Sequence, residues 1–250
     1  MSDQPLISII MNCHNGEKYL KDSIKSILDQ TYQNWELIFY DNNSNDKSKQ
    51  IFFEFRDKRL KYFYSQKTLK LYKARNLAIN QSKGTYISFL DCDDLWKREK
   101  LSIQIKKIKN TNSSVCYSNY FVLEKKRKKI AYKNNLPEGI IKEKLLDTFC
   151  IGIVTMLIKR DILKKNNLKF NDKYEIIGDF DLFLKVSENI QFHLKVHSFL
   201  FSDAQKIPRS FIYVTKLSQY EIARLYVQVP VVFRNIFLAN LAILIDYSAR

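Results

Sequence analysis

A chain of 250 residues with 46% hydrophobic and 14% aromatic residues is too apolar for intrinsic disorder and long enough for one medium-sized core. Its formal net charge of +16, from 42 Lys and Arg against 26 Asp and Glu, calls for an anionic partner: a phosphorylated small molecule, an acidic lipid surface or nucleic acid. The four cysteines, Cys13, Cys92, Cys116 and Cys150, form no CxxC pair and have no His at zinc-finger spacing, which argues against a disulfide framework or structural zinc and fits a reducing cytoplasm.

The opening MSDQPLISII carries no basic segment and only a short apolar run, so no signal peptide is expected. Leu6–Asn12, LISIIMN, is a continuous β-branched run and predicts a strand. Glu17–Gln30 then places Leu20, Ile24, Ile27 and Leu28 at helical spacing. The unit recurs. WELIFY (35–40) precedes a helix expected from about Asn45, LKYFYS (60–65) precedes LYKARNLAINQ (71–81), and TYISFLD (85–91) precedes KREKLSIQIKKIKN (97–110). Alternating strands and helices imply right-handed crossovers and a mostly parallel sheet covered on both faces.

Polar clusters follow three of these strands: NCHNG (Asn12–Gly16), DNNSND (Asp41–Asp46) and DCDD (Asp91–Asp94). In open α/β sheets a ligand binds outside the carboxyl ends of the strands, so the three clusters are expected to meet. Asp41 can accept a hydrogen bond from a ring imide N–H, His14 offers a flat face to a base, and Asn12 and Asn15 suit a ribose or phosphate. The same residue types are ordinary turn formers. Arg75, beside the apolar face of Leu71, Ala74, Leu77 and Ala78, carries a fork of donors matched to planar acceptors. Asp91, Asp93 and Asp94 concentrate negative charge in a basic chain; a hard divalent cation, with a diphosphate as its other partner, accounts for that crowding. Asp94 alone also suits the cap of a helix beginning near Trp96.

From about Val115 the alternation breaks. SVCYSNYFVL (114–123) and TMLIKR (155–160) read as strands, EKKRKK (124–129) as a basic hairpin tip or loop, and IGDFDLFLKVS (177–187) as a helix start. A second lobe with mixed strands is the expectation. The chain from Leu217 onward is helical and apolar in pattern, but Arg234, Asn235 and Asn240 interrupt it and Pro230 breaks it. No stretch reaches the roughly 18–20 apolar residues of a membrane span.

ISIIMNCHNGEKYLKDSIKSILDQTYQNWELIFYDNNSND, then ARNLAI, then YISFLDCDDLW, resembles the nucleotide-binding half of family 2 glycosyltransferases of the GT-A fold, in order from about Leu6 to Lys100. The resemblance implies that Asp41 and Arg75 contact the nucleotide base, that His14 stands where an aromatic usually stacks on uracil, and that Asp91 and Asp93 form a DxD site for Mn2+ or Mg2+. Contacts to the nucleotide sugar are accordingly expected along Asn12, Cys13, His14, Asn15, Asp41, Arg75, Asp91 and Cys92. IGDFDLFLK resembles the family's acidic segment, so that Asp179 matches the catalytic base, with Asp181 one alternate position beyond it. A helix N-cap is the other use for Asp179. Three departures stand out: Asn12 replaces the more usual Pro or Thr, Gly178 sits where Glu is common, and FSDAQKIPRS (201–210) has no His, leaving Lys206 and Arg209 as its cations.

The expected fold is α/β, a GT-A-like, mostly parallel, Rossmann-like nucleotide-binding sheet fused to a smaller mixed acceptor lobe, with a helical C-terminal tail. The expected division is one glycosyltransferase domain over residues 1–214, its donor half at about 5–110 and acceptor half at about 111–214, and a tail over 215–250. The expected function is metal-dependent, inverting transfer of a sugar from a nucleotide diphosphate sugar, a UDP-sugar first among them, to a hydroxyl of a glycan or lipid-linked acceptor in cell-surface polysaccharide biosynthesis. A cytoplasmic location follows, with peripheral contact at the anionic inner face of the plasma membrane through the basic segment and apolar tail. Two other readings stay open. A nucleotidyltransferase would want a Gly-rich phosphate loop where NCHNGEKYL offers one Gly. A non-catalytic polyanion- or nucleic-acid-binding protein would use the charge alone, but no RRM, KH or zinc-finger signature is present and no specific nucleic acid is expected.

Overall fold

The structure is a computed structural model that describes residues 4–188 apart from 125, 126 and 134. The expected tail, Lys206 and Arg209 lie outside the described residues. Strands β1 (Ile7–Cys13), β2 (Trp35–Asp41), β3 (Leu60–Tyr64), β4 (Tyr86–Phe89), β5 (Val115–Cys116) and β8 (Leu157–Lys159) form a six-stranded sheet in the order β3-β2-β1-β4-β8-β5. β1, β2, β3 and β4 pair in parallel, whereas β8 pairs antiparallel with both β4 and β5. A second sheet is the hairpin of β6 (Phe121–Glu124) and β7 (Arg127–Ile130).

β1 and β2 are buried along their whole lengths, which is why they read as uninterrupted apolar runs instead of alternating ones. Their two faces feed separate cores. Ile7, Ile9, Met11 and Cys13 pack with α1 (Leu20–Leu28), α2 (Ser48–Glu54) and α4 (Lys100–Thr111). Ile10 and Ile38 pack with α3 (Leu71–Asn80), α5 (Lys142–Asp147), α6 (Arg160–Lys165) and α7 (Gly178–Ser187). Asn12 shares the second face, because it is two residues beyond Ile10 on the same strand.

The structure departs from the sequence reading in its second half. SVCYSNYFVL is two strands in two sheets, separated by an irregular stretch in which Tyr117 and Tyr120 are buried. TMLIKR contains a three-residue strand, β8, preceded by a single 3-10 turn at Ile153–Thr155 and followed at once by α6. By contrast EKKRKK takes one of its two expected forms and lies in a hairpin: Glu124 ends β6 and Arg127 to Lys129 belong to β7.

The helix expected near Trp96 begins instead at Lys100, behind Glu99, so Asp94 does not cap it. Trp96 explains the delay. Its backbone N–H goes to Ser26 Oγ at 3.1 Å and its indole N–H to the Val154 carbonyl at 3.0 Å. The Lys100 Nζ sits 3.8 Å over the same ring and donates to Ser88 Oγ at 2.5 Å; full burial pushes this amine well below the usual lysine range. These contacts pin the loop from Leu90 to Glu99 at the end of β4. Among the described residues no helix is long and apolar enough to cross a membrane.

Candidate functional site

The loops after β1 and β2 are stitched together by backbone-to-side-chain hydrogen bonds. Asn15, in the left-handed region at φ 56°, donates its N–H to Ser44 Oγ at 3.0 Å and accepts from the Asn45 N–H at 2.9 Å. The Gly16 N–H reaches Ser48 Oγ at 2.8 Å, the Glu17 N–H donates to Asp46 Oδ2 at 2.9 Å, and the Glu17 carboxylate accepts from the Lys47 N–H at 2.9 Å. His14 is exposed and donates from Nδ1 to the Asn42 carbonyl at 2.9 Å, so one edge of its ring is fixed and its face stays open.

Cys13 and Cys92 lie under this loop. A methyl group on Gly16 would stand 2.7 Å from Cys13 Sγ and 2.9 Å from Cys92 Sγ, so only glycine fits there. The two thiols interact: their hydrogen bond holds Cys13 below the usual thiol range and pushes Cys92 well above it. Cys13 is 1% exposed and faces the α1 core, and the Cys92 carbonyl accepts from the Ser23 hydroxyl at 2.9 Å. Their side chains therefore support the floor of the site, and their backbone atoms are what they can offer a ligand.

Asp41 closes β2 and is 1% exposed. Its two oxygens accept from the Ser44 N–H at 2.8 Å and the Tyr62 hydroxyl at 2.7 Å. Burial and then this hydrogen bond push the Tyr62 hydroxyl above the usual phenol range. Tyr62 and Ser44 are partners that sequence reading missed. The signal was present, because the parallel register of β2 and β3 aligns Phe39 with Tyr62 and Asp41 with Tyr64, on one face. Beyond Asp41, the Tyr64 hydroxyl donates to Asn43 Oδ1 at 2.8 Å on a half-exposed ring.

At α3, α7 and the loop after β4, three charged side chains converge. Arg75, on α3, is 2% exposed and directs its fork in two directions: Nη2 to Asp91 Oδ1 at 2.9 Å and Nη1 to Asp179 Oδ1 at 2.8 Å. A guanidinium is suited to this, since its donors are rigidly spaced and it keeps its charge when buried. Burial raises the Asp179 carboxyl to about 6; Arg75 opposes that rise and the charge of Asp91 adds to it. Asp181 points elsewhere, into an i,i+4 pair with Lys185 at 2.8 Å. Of the two candidate bases, Asp179 is the one that shares a partner with Asp91.

Asp91, Asp93 and Asp94 follow β4 in a turn closed by the Asp94 N–H on the Asp91 carbonyl at 3.1 Å. Asp94 is partly exposed, yet burial by the surrounding loop, and then the charges of Asp91 and Asp93, push its carboxyl well above the usual range. Negative charge in excess of its cations is what a hard divalent ion relieves. Among the described residues no group of three or more His, Cys, Asp or Glu is arranged to hold a metal by itself. The carboxylate oxygens of Asp91, Asp93 and Asp94 are the hard donor type that such an ion takes.

Asn12 completes the arrangement. Its carboxamide lies at the end of β1, on the face that α3 covers, and is 9% exposed, and neither its oxygen nor its nitrogen has a protein partner. Buried polar groups are nearly always paired, so this amide is suited to a ligand.

The sequence profile of glycosyl transferase family 2 matches residues 8–167. The chain is 35% identical over 184 residues to the Escherichia coli UDP-Glc:alpha-D-GlcNAc-diphosphoundecaprenol beta-1,3-glucosyltransferase WfgD, covering 74% of this chain and 70% of that one. It is 29% identical over 160 residues to the putative teichuronic acid biosynthesis glycosyltransferase TuaG of Bacillus subtilis, covering 63% of this chain and 64% of TuaG. Among solved structures, TarS 1-349 of S. aureus superimposes with a TM-score of 0.66 at 20% identity, covering 86% of this chain and 67% of that one. The mannosyltransferase PcManGT of Pyrobaculum calidifontis, solved with GDP-Man and Mn2+, superimposes with a TM-score of 0.67 at 14% identity, covering 99% of this chain and 74% of that one. With a mostly parallel sheet of this order carrying its polar clusters at the strand ends, the fold is GT-A and the chain belongs to glycosyl transferase family 2.

Proposed function

We propose that this glycosyltransferase moves a sugar from a UDP-sugar to a hydroxyl of a glycan or lipid-linked acceptor, with inversion at the anomeric carbon. The observation that carries the reading is the Arg75 bridge, which holds Asp179 and Asp91 in one site at the carboxyl ends of the parallel strands. WfgD acts with UDP-Glc by its name, and TarS has been solved with UDP and with UDP-GlcNAc, which favours uridine. His14 offers its ring face to the base, and Asn12, Asn15 and the backbone of Cys13 and Cys92 line the path of ribose and diphosphate. Asp41 reads the base edge if Tyr62 yields its oxygen.

Asp91 and Asp93 would hold Mn2+ or Mg2+, which when bound supplies positive charge to the diphosphate leaving group. Asp179 takes the proton of the acceptor hydroxyl as its oxygen bonds to the anomeric carbon. The bond from that carbon to the diphosphate breaks, and its electron pair leaves with the nucleotide. A carboxylate suffices because the hydroxyl grows acidic only as the new bond forms, so placement matters more than base strength.

Thermal unfolding with UDP, GDP, CDP and TDP, each with and without Mn2+, tests the donor half. UDP with Mn2+, at about 100 times its dissociation constant, is expected to raise Tm by roughly 5–10 °C, from about 2.7 kcal/mol of binding linkage. The double variant Asp91→Ala/Asp93→Ala should lose that rise. No shift with any nucleotide, metal present or absent, would remove the donor assignment.

The acceptor half, expected over about 111–214, presents the β6–β7 hairpin with an exposed Lys128. We place this hairpin against anionic headgroups at the inner face of the plasma membrane, where a lipid-linked acceptor would be met. Co-sedimentation should then require anionic lipid in the vesicles and fall as salt is raised. Equal recovery with neutral vesicles, or none with either, contradicts the placement.

A further inference from the structure

Gly178 opens α7, directly before Asp179, and it does not have the positive φ that would call for glycine on conformational grounds. Its reason is steric. A methyl group there would lie 2.5, 2.6 and 2.6 Å from the Cε2, Cδ2 and Cζ atoms of Tyr72. That ring cannot swing aside cheaply. It is 1% exposed, stacks on Phe170 at 5.5 Å between centroids with 13° between planes, and is tethered by its hydroxyl to the Ile176 carbonyl at 2.5 Å.

One turn further along the same face of α3, Asn76 holds the same segment from its other end. Its Nδ2 donates to the Phe170 carbonyl at 2.8 Å and its Oδ1 accepts from the Phe170 N–H at 3.0 Å. Tyr72, Arg75 and Asn76 stand at i, i+3 and i+4, so one helical face grips residues 170–179 at four points. Arg75 is the only one of the three that touches a charged group of the site.

We propose that Tyr72 and Asn76 are positioning residues: the Tyr72 ring against Gly178 sets how deeply the start of α7 docks on α3, and Asn76 sets its register, so that Asp179 meets Arg75. This rests on the reading of Asp179 as the base. Any β-carbon at 178 has to push the start of α7 away from the ring, and Asp179 moves with it. A displacement of about 1 Å at a reacting group is enough to cost about 10²-fold in rate. Tyr72 is too deeply buried to touch substrate, so the effect is confined to placement.

The test compares Gly178→Ala, Asn76→Asp, Asp179→Asn and the double variant Gly178→Ala/Tyr72→Val, in the full chain. Turnover and the Mn2+-dependent stabilisation by UDP are measured for each. Gly178→Ala and Asn76→Asp are expected to lower kcat by about 10²-fold while UDP stabilisation and donor KM stay near wild type. Val at 72 lacks all three colliding carbons, so the double variant should recover at least about tenfold of the kcat that Gly178→Ala loses. Asn76→Asp keeps the bond from the Phe170 N–H and loses the one to its carbonyl, and serves if Gly178→Ala does not fold. The proposal is overturned if both single variants turn over normally, if kcat and UDP stabilisation fall together, or if the double variant is no better than Gly178→Ala. An Asp179→Asn protein with wild-type turnover would instead sink the base assignment itself. An inactive Asp179→Asn beside an unimpaired Gly178→Ala would sink only the positioning.

Discussion

Replacing Asp179 by Asn is expected to lower kcat by about 10²–10⁴-fold and to leave UDP stabilisation intact, which is the range a positioned general base contributes. The substitution keeps the size of the side chain, and its amide oxygen can still accept from Arg75 Nη1, now 2.8 Å from the carboxylate. What it removes is the proton acceptor. Loss of nucleotide stabilisation in this variant would place Asp179 in donor binding instead of base catalysis.

The same carboxylate predicts a pH profile. Burial raises Asp179 to about 6, so the base form is present above that value and is lost as pH falls through it. The acid limb of kcat/KM, which reports the free enzyme, should therefore bend near pH 6. The charge of Asp91 is one of the two causes that raise Asp179. Once a cation on Asp91 offsets that charge, the carboxyl should ionise more readily, and the acid limb of kcat should lie below that of kcat/KM. Coincident limbs would show that Asp91 and Asp179 do not feel each other in the complex.

How far the sequence reached depended on whether a feature was local. LISIIMN and WELIFY announced strands because both faces of β1 and β2 are buried, and a period-free apolar run is what such burial leaves in sequence. NCHNG, DNNSND and DCDD could be gathered at one edge because parallel strands put like ends together. The second half has no such regularity. β8 is three residues long and enters between β4 and β5 against the direction of both, a pairing that no local pattern encodes. α5 and α6, at six residues each, are too short to show a helical period. At the site, Asp41, Arg75, Asp91 and Asp179 were all legible as candidates, but their partners were not. The resemblance puts Arg75 and Asp41 at the base; within the chain Arg75 stands between two carboxylates and Asp41 accepts from the Tyr62 hydroxyl. Residues 16 and 104 positions apart meet Arg75, and only the fold decides such contacts.

Replacing Arg75 by Met should be the most damaging single change at the site. The guanidinium is almost fully buried, whereas Asp91 keeps 32% of its side chain exposed and Asp179 17%. Removing the shared cation leaves two carboxylates facing each other without it, and breaking a buried pair in this way costs about 3–5 kcal/mol, with the lower end favoured here because Asp91 can turn to water. For a chain of this length Tm should fall by roughly 10 °C. Residual activity should carry an acid limb above that of the wild type, since Arg75 is the cation that holds Asp179 down against burial. Arg75→Lys should recover part of the stability and little of the rate, because the three donors of an ammonium sit on one nitrogen and do not reproduce the separate positions from which Nη1 and Nη2 reach the two carboxylates. The variant also separates the two places proposed for this residue. If Arg75 acts as the bridge, Arg75→Met weakens every nucleotide alike through the disturbed Asp91; if it reads the base, preference among UDP, GDP, CDP and TDP collapses while the Asp179 limb stays where it was.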